Sequence, residues 1–431
     1  MREMKDSEIK WVGEIPSSWR MLRNKYIFKR TKQIVGDDWD KTQLLSLTTS
    51  GIKKRNIDDV YGKVPESYNG YQVVQPEQLV MCLFDLDCSA VFSGISPFEG
   101  MISPAYVVIE CNDRMMPQFA DYWFRFVFDG RKYNTYSKNI RFSLPYDDFC
   151  EVLTAVPPLS EQRAIVAYLD SKCADIDEAI KRHKEIIEKL EEFQEATITK
   201  TVTQGINKTT LKPSGYDVIG EIPDDWKVVR LRFIGSAMNG ISKDGGSFGQ
   251  GFPFVSYGDV YKNISLPTTV AGLVESSGEE RLKYSVQAGD IFFTRTSETI
   301  DEVGFSSVCE TTIPEATFAG FLIRVRPFTD MLVPSFAKYY FRGKHLRNYF
   351  AREMDITTRA SLSQNFLKNV PVLIPPKNEQ VQIAEYLTNV CDSISTSVAK
   401  HESIIAKLEE YKKSIIYNAV TGKIDCVGGF K

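Results

Sequence analysis

The sequence is poor in the groups from which active sites are built. Its 431 residues include only three histidines, too few for a histidine-rich metal cluster. The eight cysteines stand at 82, 88, 111, 150, 173, 309, 391 and 426. None forms a CxxC pair, which argues against zinc and disulfides and for reduced thiols in a cytoplasmic protein. No apolar run is long enough to span a bilayer, so no membrane contact is expected. The opening residues lack the apolar core of a signal peptide. There is no GxxxxGK[ST] phosphate loop. Both Pro-Pro pairs follow Val156 or Ile374 and precede Leu159 or Lys377, which is not the Asn/Asp-Pro-Pro-aromatic tetrapeptide of adenine methyltransferases. The glycine-rich stretch 245–251 lacks the strand-then-helix setting of a cofactor loop. Glu8-Ile9-Lys10 is a short acidic–lysine triplet without a nuclease constellation around it. A net charge of −3 does not announce a nucleic-acid binder, so any such surface must be local.

What the chain has is a duplication. Residues 156–206 and 374–424 align without a gap, 218 positions apart, with 20 identities in 51 positions. Pro-Pro, Glu-Gln, Tyr-Leu, Cys, His and Lys-Leu-Glu-Glu recur in step. Each copy reads as one long helix. The prolines hold the preceding chain extended, Ser160 and Asn378 suit the N-cap, and no glycine or proline follows before Thr203 or Thr421. At 1.5 Å per residue each helix spans roughly 65 Å.

Apolar residues repeat every seven positions along both helices. The first carries Leu169, Ile176, Ile180, His183, Ile187 and Leu190, and the second Leu387, Ile394, His401, Ile405 and Leu408. Such narrow seams require a partner helix, and burying each Leu or Ile stabilises by roughly 1.5–3 kcal/mol. The simplest partner for each copy is the other. The segment between them is long enough for a compact domain, whose ends are often close together. The pair should therefore be antiparallel, with His183 and His401 meeting in the seam as a polar register device or a pH-sensitive contact.

A second repeat opens each half. Gly13-Glu14-Ile15-Pro16 leads to Trp19, and Gly220-Glu221-Ile222-Pro223 leads to Trp226. Between this entry and the long helix lie strand-like runs with β-branched and aromatic residues, such as 42–49, 78–84, 290–295 and 321–326. Segments 119–128 and 336–350 read as amphipathic helices. Apart from landmarks such as Arg141 and Arg359, each followed by a residue and Ser-Leu, these middle regions share little. The fold class is α+β: two mixed α/β domains separated by a long antiparallel two-helix coiled coil, with pseudo-two-fold symmetry. The first domain is 1–155, the central helix 156–206, the second domain 207–373, and the distal helix with its tail 374–431.

This layout resembles the specificity subunit of type I restriction–modification enzymes over nearly the whole chain. The duplicated Pro-Pro-x-x-Glu-Gln helix starts, the Leu-Glu-Glu helices, the paired Gly-Glu-Ile-Pro-x-x-Trp entries and the closing Thr421-Gly422-Lys423-Ile424-Asp425 carry the resemblance. It implies that the variable domains are target-recognition domains, each reading one half of a split site on double-stranded DNA. It also implies that the helices set the spacing and dock two modification (methyltransferase) subunits, to which restriction (endonuclease/translocase) subunits are added. The chain would then not be an enzyme. S-adenosylmethionine, ATP and Mg²⁺ would belong to its partners. Because the two domains differ in sequence, the target should be bipartite and asymmetric. The alternative is a coiled-coil scaffold for proteins, without DNA binding.

Base reading needs amide, hydroxyl and cationic side chains on loops, and phosphate anchoring needs cations and small hydroxyls. In the first domain the candidates are Thr49, Ser50, Lys53, Lys54, Arg55 and Asn56, then Tyr133, Asn134, Tyr136, Lys138, Asn139 and Arg141. In the second they are Tyr257, Lys262, Asn263, Arg295, Thr296 and Ser297, then Arg342, Lys344, Arg347 and Arg359. Arg141 and Arg359 recur in both halves and suit phosphate or fold rather than base reading.

Overall fold

A computed structural model of the chain describes residues 2–57, 67–137, 142–207, 210–297, 303–353 and 360–427. It divides into two compact units. Unit 1 is Met1–His183 with Glu402–Lys431, and unit 2 is Lys184–His401. The division falls within both long helices.

The two units are built on one plan. Each opens with an antiparallel hairpin, Met4–Asp6 with Glu14–Pro16 and Leu211–Pro213 with Glu221–Pro223. The following tryptophan, Trp19 or Trp226, is fully buried. A ribbon joins entry to exit, Arg20–Arg23 with Leu153–Val156 and Lys227–Arg230 with Pro371–Ile374. Each unit then has a four-stranded antiparallel sheet in the same order. In unit 1 the order is 28–31, 107–111, 79–81, 93–95, and in unit 2 it is 235–239, 322–327, 291–294, 306–308.

The third strand of each sheet is apolar on both sides because it separates two cores. Leu79 and Met81 face the large core of unit 1, while Val80 faces a smaller one with Leu45, Leu47 and Ile52. In unit 2, Ile291 and Phe293 face one core and Phe292 the other. Period-two alternation is still present, but both faces are covered.

Against the larger core lies a helix that starts with proline, where the missing N–H costs nothing. In unit 1 it is α1 (Pro117–Phe128). The long central helix α2 spans Leu159–Gln204. In unit 2 the short helix α3 (Tyr257–Lys262) precedes α4 (Pro334–Tyr340), and α5 (Lys344–Glu353) follows it. The distal helix α6 spans Lys377–Val420. The single helix expected over 336–350 is thus broken at Phe341–Gly343. The Phe341 ring turns into the core, and a Cβ on Gly343 would lie 2.6 Å from the His345 ring. A repeat passed over in the sequence emerges here: Phe119–Arg125 and Phe336–Arg342 share Phe, Ala, Tyr, Phe and Arg in the same order.

Ser160 and Asn378 lie inside the first helical turns rather than before them. The helix starts are anchored by the glutamine of the Glu-Gln pair, which is fully buried in both copies. The Gln162 Nε2 donates to the Arg114 and Pro157 carbonyls, each at 2.8 Å, and its Oε1 accepts from the Met116 N–H at 2.7 Å. The Gln380 amide repeats all three bonds with Met331, Pro375 and Val333. Tyr122 donates to Asp170 at 2.7 Å, and Tyr339 bonds Thr388 at the matching place. This is why Pro-Pro-x-x-Glu-Gln recurs: its last residue ties the long helix to the start of α1 or α4.

Within each unit, part of α2 packs on part of α6. In unit 1, Ile165, Leu169, Cys173 and Ile176 share a core with Ile415, Ile416, Ala419 and Val420. Lys412 pairs with Asp177 at 2.7 Å. In unit 2, Val202 joins Ile383, Leu387 and Cys391. Gln194 lies near Cys391, and Gly205 approaches Glu379, so the two segments run antiparallel. Ile180, Ile187, Leu190, Ile405 and Leu408 are half-buried, as are His183 and His401, while Ile394 is buried. All eight cysteines are free thiols.

Candidate nucleic-acid interface

The shared frame carries different surfaces. Unit 1 presents a hairpin, Leu45–Thr48 paired with Gly51–Lys54. Leu45, Leu47 and Ile52 point into the small core. Strand alternation then sends Lys53 outward. Gly51, at φ 92°, adopts the left-handed turn that glycine tolerates best. The Thr48 hydroxyl donates to its carbonyl at 2.8 Å and accepts from the Ser50 N–H at 3.2 Å. Thr49, Ser50, Lys53 and Lys54 are all exposed. The Lys54 ammonium lies over Phe98, 4.8 Å from the ring centre. Arg55 is half-buried and Asn56 exposed.

The other candidates of unit 1 separate. Tyr133 belongs to the core, ringed by Trp11, Phe92, Tyr136 and Phe149, and burial pushes its phenol far up. It is therefore withdrawn from the DNA-facing set. Asn134 and Tyr136 are half-buried in the short 3-10 helix Lys132–Tyr136. Lys138, Asn139 and Arg141 lie outside the described residues.

Among the described residues, unit 2 has no matching hairpin. A long strand, Phe248–Val255, leads into α3. This helix packs on strand Ile291–Thr294, which ends beside Arg295. The start of α3 is a capping box: Asp259 N–H donates to the Ser256 hydroxyl, and Ser256 N–H donates to the Asp259 carboxylate. Tyr257 is half-exposed, Lys262 exposed and Asn263 half-buried. The Asn263 side-chain amide donates to the Asp259 carbonyl at 2.8 Å. Arg295 and Thr296 are half-exposed, and the Arg295 backbone is held by Phe321 and Leu362. Phe321 is 65% exposed on the neighbouring strand end. Nothing in the sequence marks this exposure, since a lone phenylalanine between a glycine and a strand reads as core. Ser297 lies in strand Thr296–Ser297, and Arg359 lies outside the described residues.

The cluster at 342–347 is a correction. Arg342 and Arg347 are turned inward. Arg342 donates only to carbonyls, those of Ser306, Val260, Tyr261 and Asn263. Arg347 donates to Val303 and Gly304. Burial lowers Arg342 to about 10. Arg347 falls to about 9, through burial and the neighbouring Arg342 charge. Both remain cations at neutral pH, occupied with the fold. Lys344 pairs with Glu195 at 3.2 Å. None of the three is a free phosphate anchor.

No group of three or more His, Cys, Asp or Glu suited to a metal occurs among the described residues. No described helix is long and apolar enough to cross a membrane.

The chain is thus a duplicated α+β protein whose units share buried staples and differ in what they expose. Residues 223–409 match the model of the type I restriction modification DNA specificity domain. The specificity subunit of the type I restriction enzyme EcoKI from Escherichia coli K12 is 24% identical over 274 residues, covering 62% of this chain and 57% of that one. The match therefore spans little more than half of that relative. The StySPI specificity subunit of Salmonella potsdam is 21% identical over 96% of this chain and 90% of its own length. A solved chain from work on complex assembly and conformational transition of the type I R-M system has the same fold, with TM-score 0.72 and 17% identity, covering 95% of this chain and 99% of that one. The chain is thus similar to type I restriction–modification specificity subunits, with the DNA specificity domain matched over residues 223–409.

Proposed function

We propose that this chain is the sequence-specific DNA-binding subunit of a type I restriction–modification complex and reads a bipartite, asymmetric target. One observation carries the reading. The same three-bond glutamine staple occurs in both units, while a basic hairpin in unit 1 stands where unit 2 has α3 and Arg295. Identical readers would select a palindrome; unlike readers select two different half-sites. With each wrong base pair costing roughly 1–3 kcal/mol, a few read positions per half supply operator-like discrimination.

The long helices would set the half-site spacing and receive two methyltransferase subunits. Their outer faces support this. Ile186 and Phe193 on α2 recur as Ile404 and Tyr411 on α6, and all four are exposed, Phe193 by 59% and Tyr411 by 53%. An apolar pair displayed twice, outside the buried seam, suits two copies of one partner. S-adenosylmethionine, ATP and Mg²⁺ would be bound by those partners and by the restriction subunits.

The test is co-expression with the product of the neighbouring open reading frame, in a host lacking other adenine methylation, followed by methylome sequencing. The expected product is a split site with different half-sequences. A contiguous or palindromic methylated site would overturn the two-reader assignment. Co-purification without methylation or DNA binding would favour a protein scaffold.

A further inference from the structure

Helix α3 is six residues long, too short to persist unaided. It is held at both ends. The Ser256–Asp259 capping box closes its start. At its other end Arg342 receives the last carbonyls, with Nη2 2.9 Å from Val260, 2.8 Å from Tyr261 and 3.2 Å from Asn263. Those carbonyls have no partner within the helix, and a cation there is favourable. The same guanidinium bonds Ser306 through Nε at 2.7 Å, so it ties α3 to the sheet edge.

An aromatic ladder runs outward from this point. Phe305 lies under Arg342 at 4.7 Å and under Arg347 at 5.2 Å. Tyr261 packs on Phe305 at 5.2 Å, and Tyr257 stacks on Tyr261 at 5.9 Å and 19°. The last rung, Tyr257, reaches the surface on the helix that also carries exposed Lys262.

Folding alone does not call for this arrangement. The equivalent arginine of unit 1, Arg125, pairs with Asp121 on its own helix at 2.7 Å. Position 121 corresponds to Lys338 in unit 2. There, among the described residues, neither Arg342 nor Arg347 meets a carboxylate. Two half-buried cations without a counter-ion are costly to place, and Arg342 holds α3.

We propose that Arg342 is the positioning residue of the second reader: it fixes the pitch of α3, so that the Tyr257 hydroxyl reaches a base edge and Lys262 meets a phosphate of duplex DNA. This rests on the DNA-reading assignment above and names how one half-site is read. Base edges in a groove are read by hydrogen-bonding side chains, and a lysine on the same helix anchors the strand without reading it.

The experiment uses the full chain and a pool of double-stranded DNA of random sequence, with the bound fraction sequenced. The wild type should enrich two half-motifs at a fixed separation. R342M and Y261L should each lower the base preference within one half-motif by about tenfold, with the other half-motif unchanged. R125M should leave both half-motifs intact. A merely structural arginine would lower thermal stability without selectively blurring one half-motif. Y261L breaks the ladder while sparing the Arg342 contacts, so it decides the matter if R342M fails to fold. A split motif kept at full strength in Y261L and in any folded R342M overturns the role of Arg342 alone. A wild-type chain that enriches no motif overturns the DNA-reading assignment itself.

Discussion

Unit 1 and unit 2 solve the same construction problem with the same staples and then diverge in the chemistry they bury. At one position of the shared helix unit 1 buries a carboxyl, Asp121, answered by Arg125. Unit 2 has Lys338 there and spends its arginine on α3. Near this place unit 2 also buries a histidine, His345, and among the described residues neither ring nitrogen is hydrogen-bonded. The lesson is that the duplicated frame tolerates different buried charges, provided the tie between α1 or α4 and the long helix is kept. The units should therefore respond oppositely to pH. Burial raises the Asp121 carboxyl above its ordinary 3.8, despite the opposing Arg125. Its stabilising contribution is present below that value and is lost as pH rises. Burial lowers the His345 imidazole from 6.5 to about 3, with the Arg347 charge adding to it. Its contribution is present above 6.5 and is lost as pH falls through 3.

This gives the largest expected effect. Between pH 6.5 and 4 the His345 contribution should fall by about 1.4 kcal/mol per pH unit. Chemical denaturation of the wild type and of H345L across that range measures it. H345L should flatten the acid limb of unit 2 and leave unit 1 unchanged. An equally steep limb in H345L would mean that other groups set the acid sensitivity.

The next effect tests what the units share. Gln162→Leu or Gln380→Leu strands one buried N–H and two buried carbonyls, and each substitution should cost about 3 kcal/mol. Near-equal losses in the two variants, read from urea midpoints, would bear out a common staple. A loss confined to one would show that the match in geometry hides a difference in load.

The helix ends sharpen the comparison. Gly205 and Gly422 each follow a long helix at positive φ, 73° and 71°, as C-terminal glycines commonly do. A Cβ on Gly422 would lie 2.4 Å from the rigid Pro16 ring and 3.0 Å from Trp19. On Gly205 the nearest atom is a Glu379 carboxylate oxygen at 2.7 Å, and Trp226 lies at 3.3 Å. A carboxylate swings aside more readily than a proline. G422A should therefore cost about 2 kcal/mol and G205A about 1 kcal/mol. The reverse order in melting temperature would contradict this account.

Much of the frame could be read before the structure. The seams from Leu169 and Leu387 follow from apolar spacing, and the Glu-Gln repeat stood out because it recurs. What could not be read is direction. Tyr133 and Tyr257 sit in similar aromatic, amide-rich contexts, yet one is core and the other surface. Arg342 and Arg347 look like phosphate anchors because their partners, Ser306, Val260 and Val303, are distant in sequence. A cation followed by a helix has the same composition whether it faces solvent or carbonyls.

The surfaces differ in kind, and salt separates them. Unit 1 offers Lys53 and Lys54 on a hairpin, while unit 2 offers a ring ladder with Lys262 and Arg295. Lys53→Ala with Lys54→Ala should reduce the slope of log affinity against log salt by about one for each phosphate that is no longer neutralised. Y257A should lower affinity and leave that slope unchanged. Filter binding at several salt concentrations reads both. An unchanged slope in the lysine variant would remove the hairpin from the interface.

The smallest effect concerns the seam itself. In unit 1 Lys412 pairs with Asp177. The equivalent positions in unit 2 are Gln194 and Ser395, which cannot form an ion pair. Asp177 is 59% exposed at its side chain, so the pair is worth less than about 1 kcal/mol and is screened by salt. Its interest lies in pairing. Asp177 belongs to the first half of the duplication and Lys412 to the second, so two copies of either half would lack one partner. Lys412→Gln should lower stability by about 0.5 kcal/mol in dilute buffer and by nothing measurable at high salt. Asp177→Lys should cost more than Lys412→Gln, since it sets like charges together, and adding Lys412→Asp should restore most of the loss. If the exchanged pair recovers nothing, the contact is incidental and the two halves are matched by shape alone.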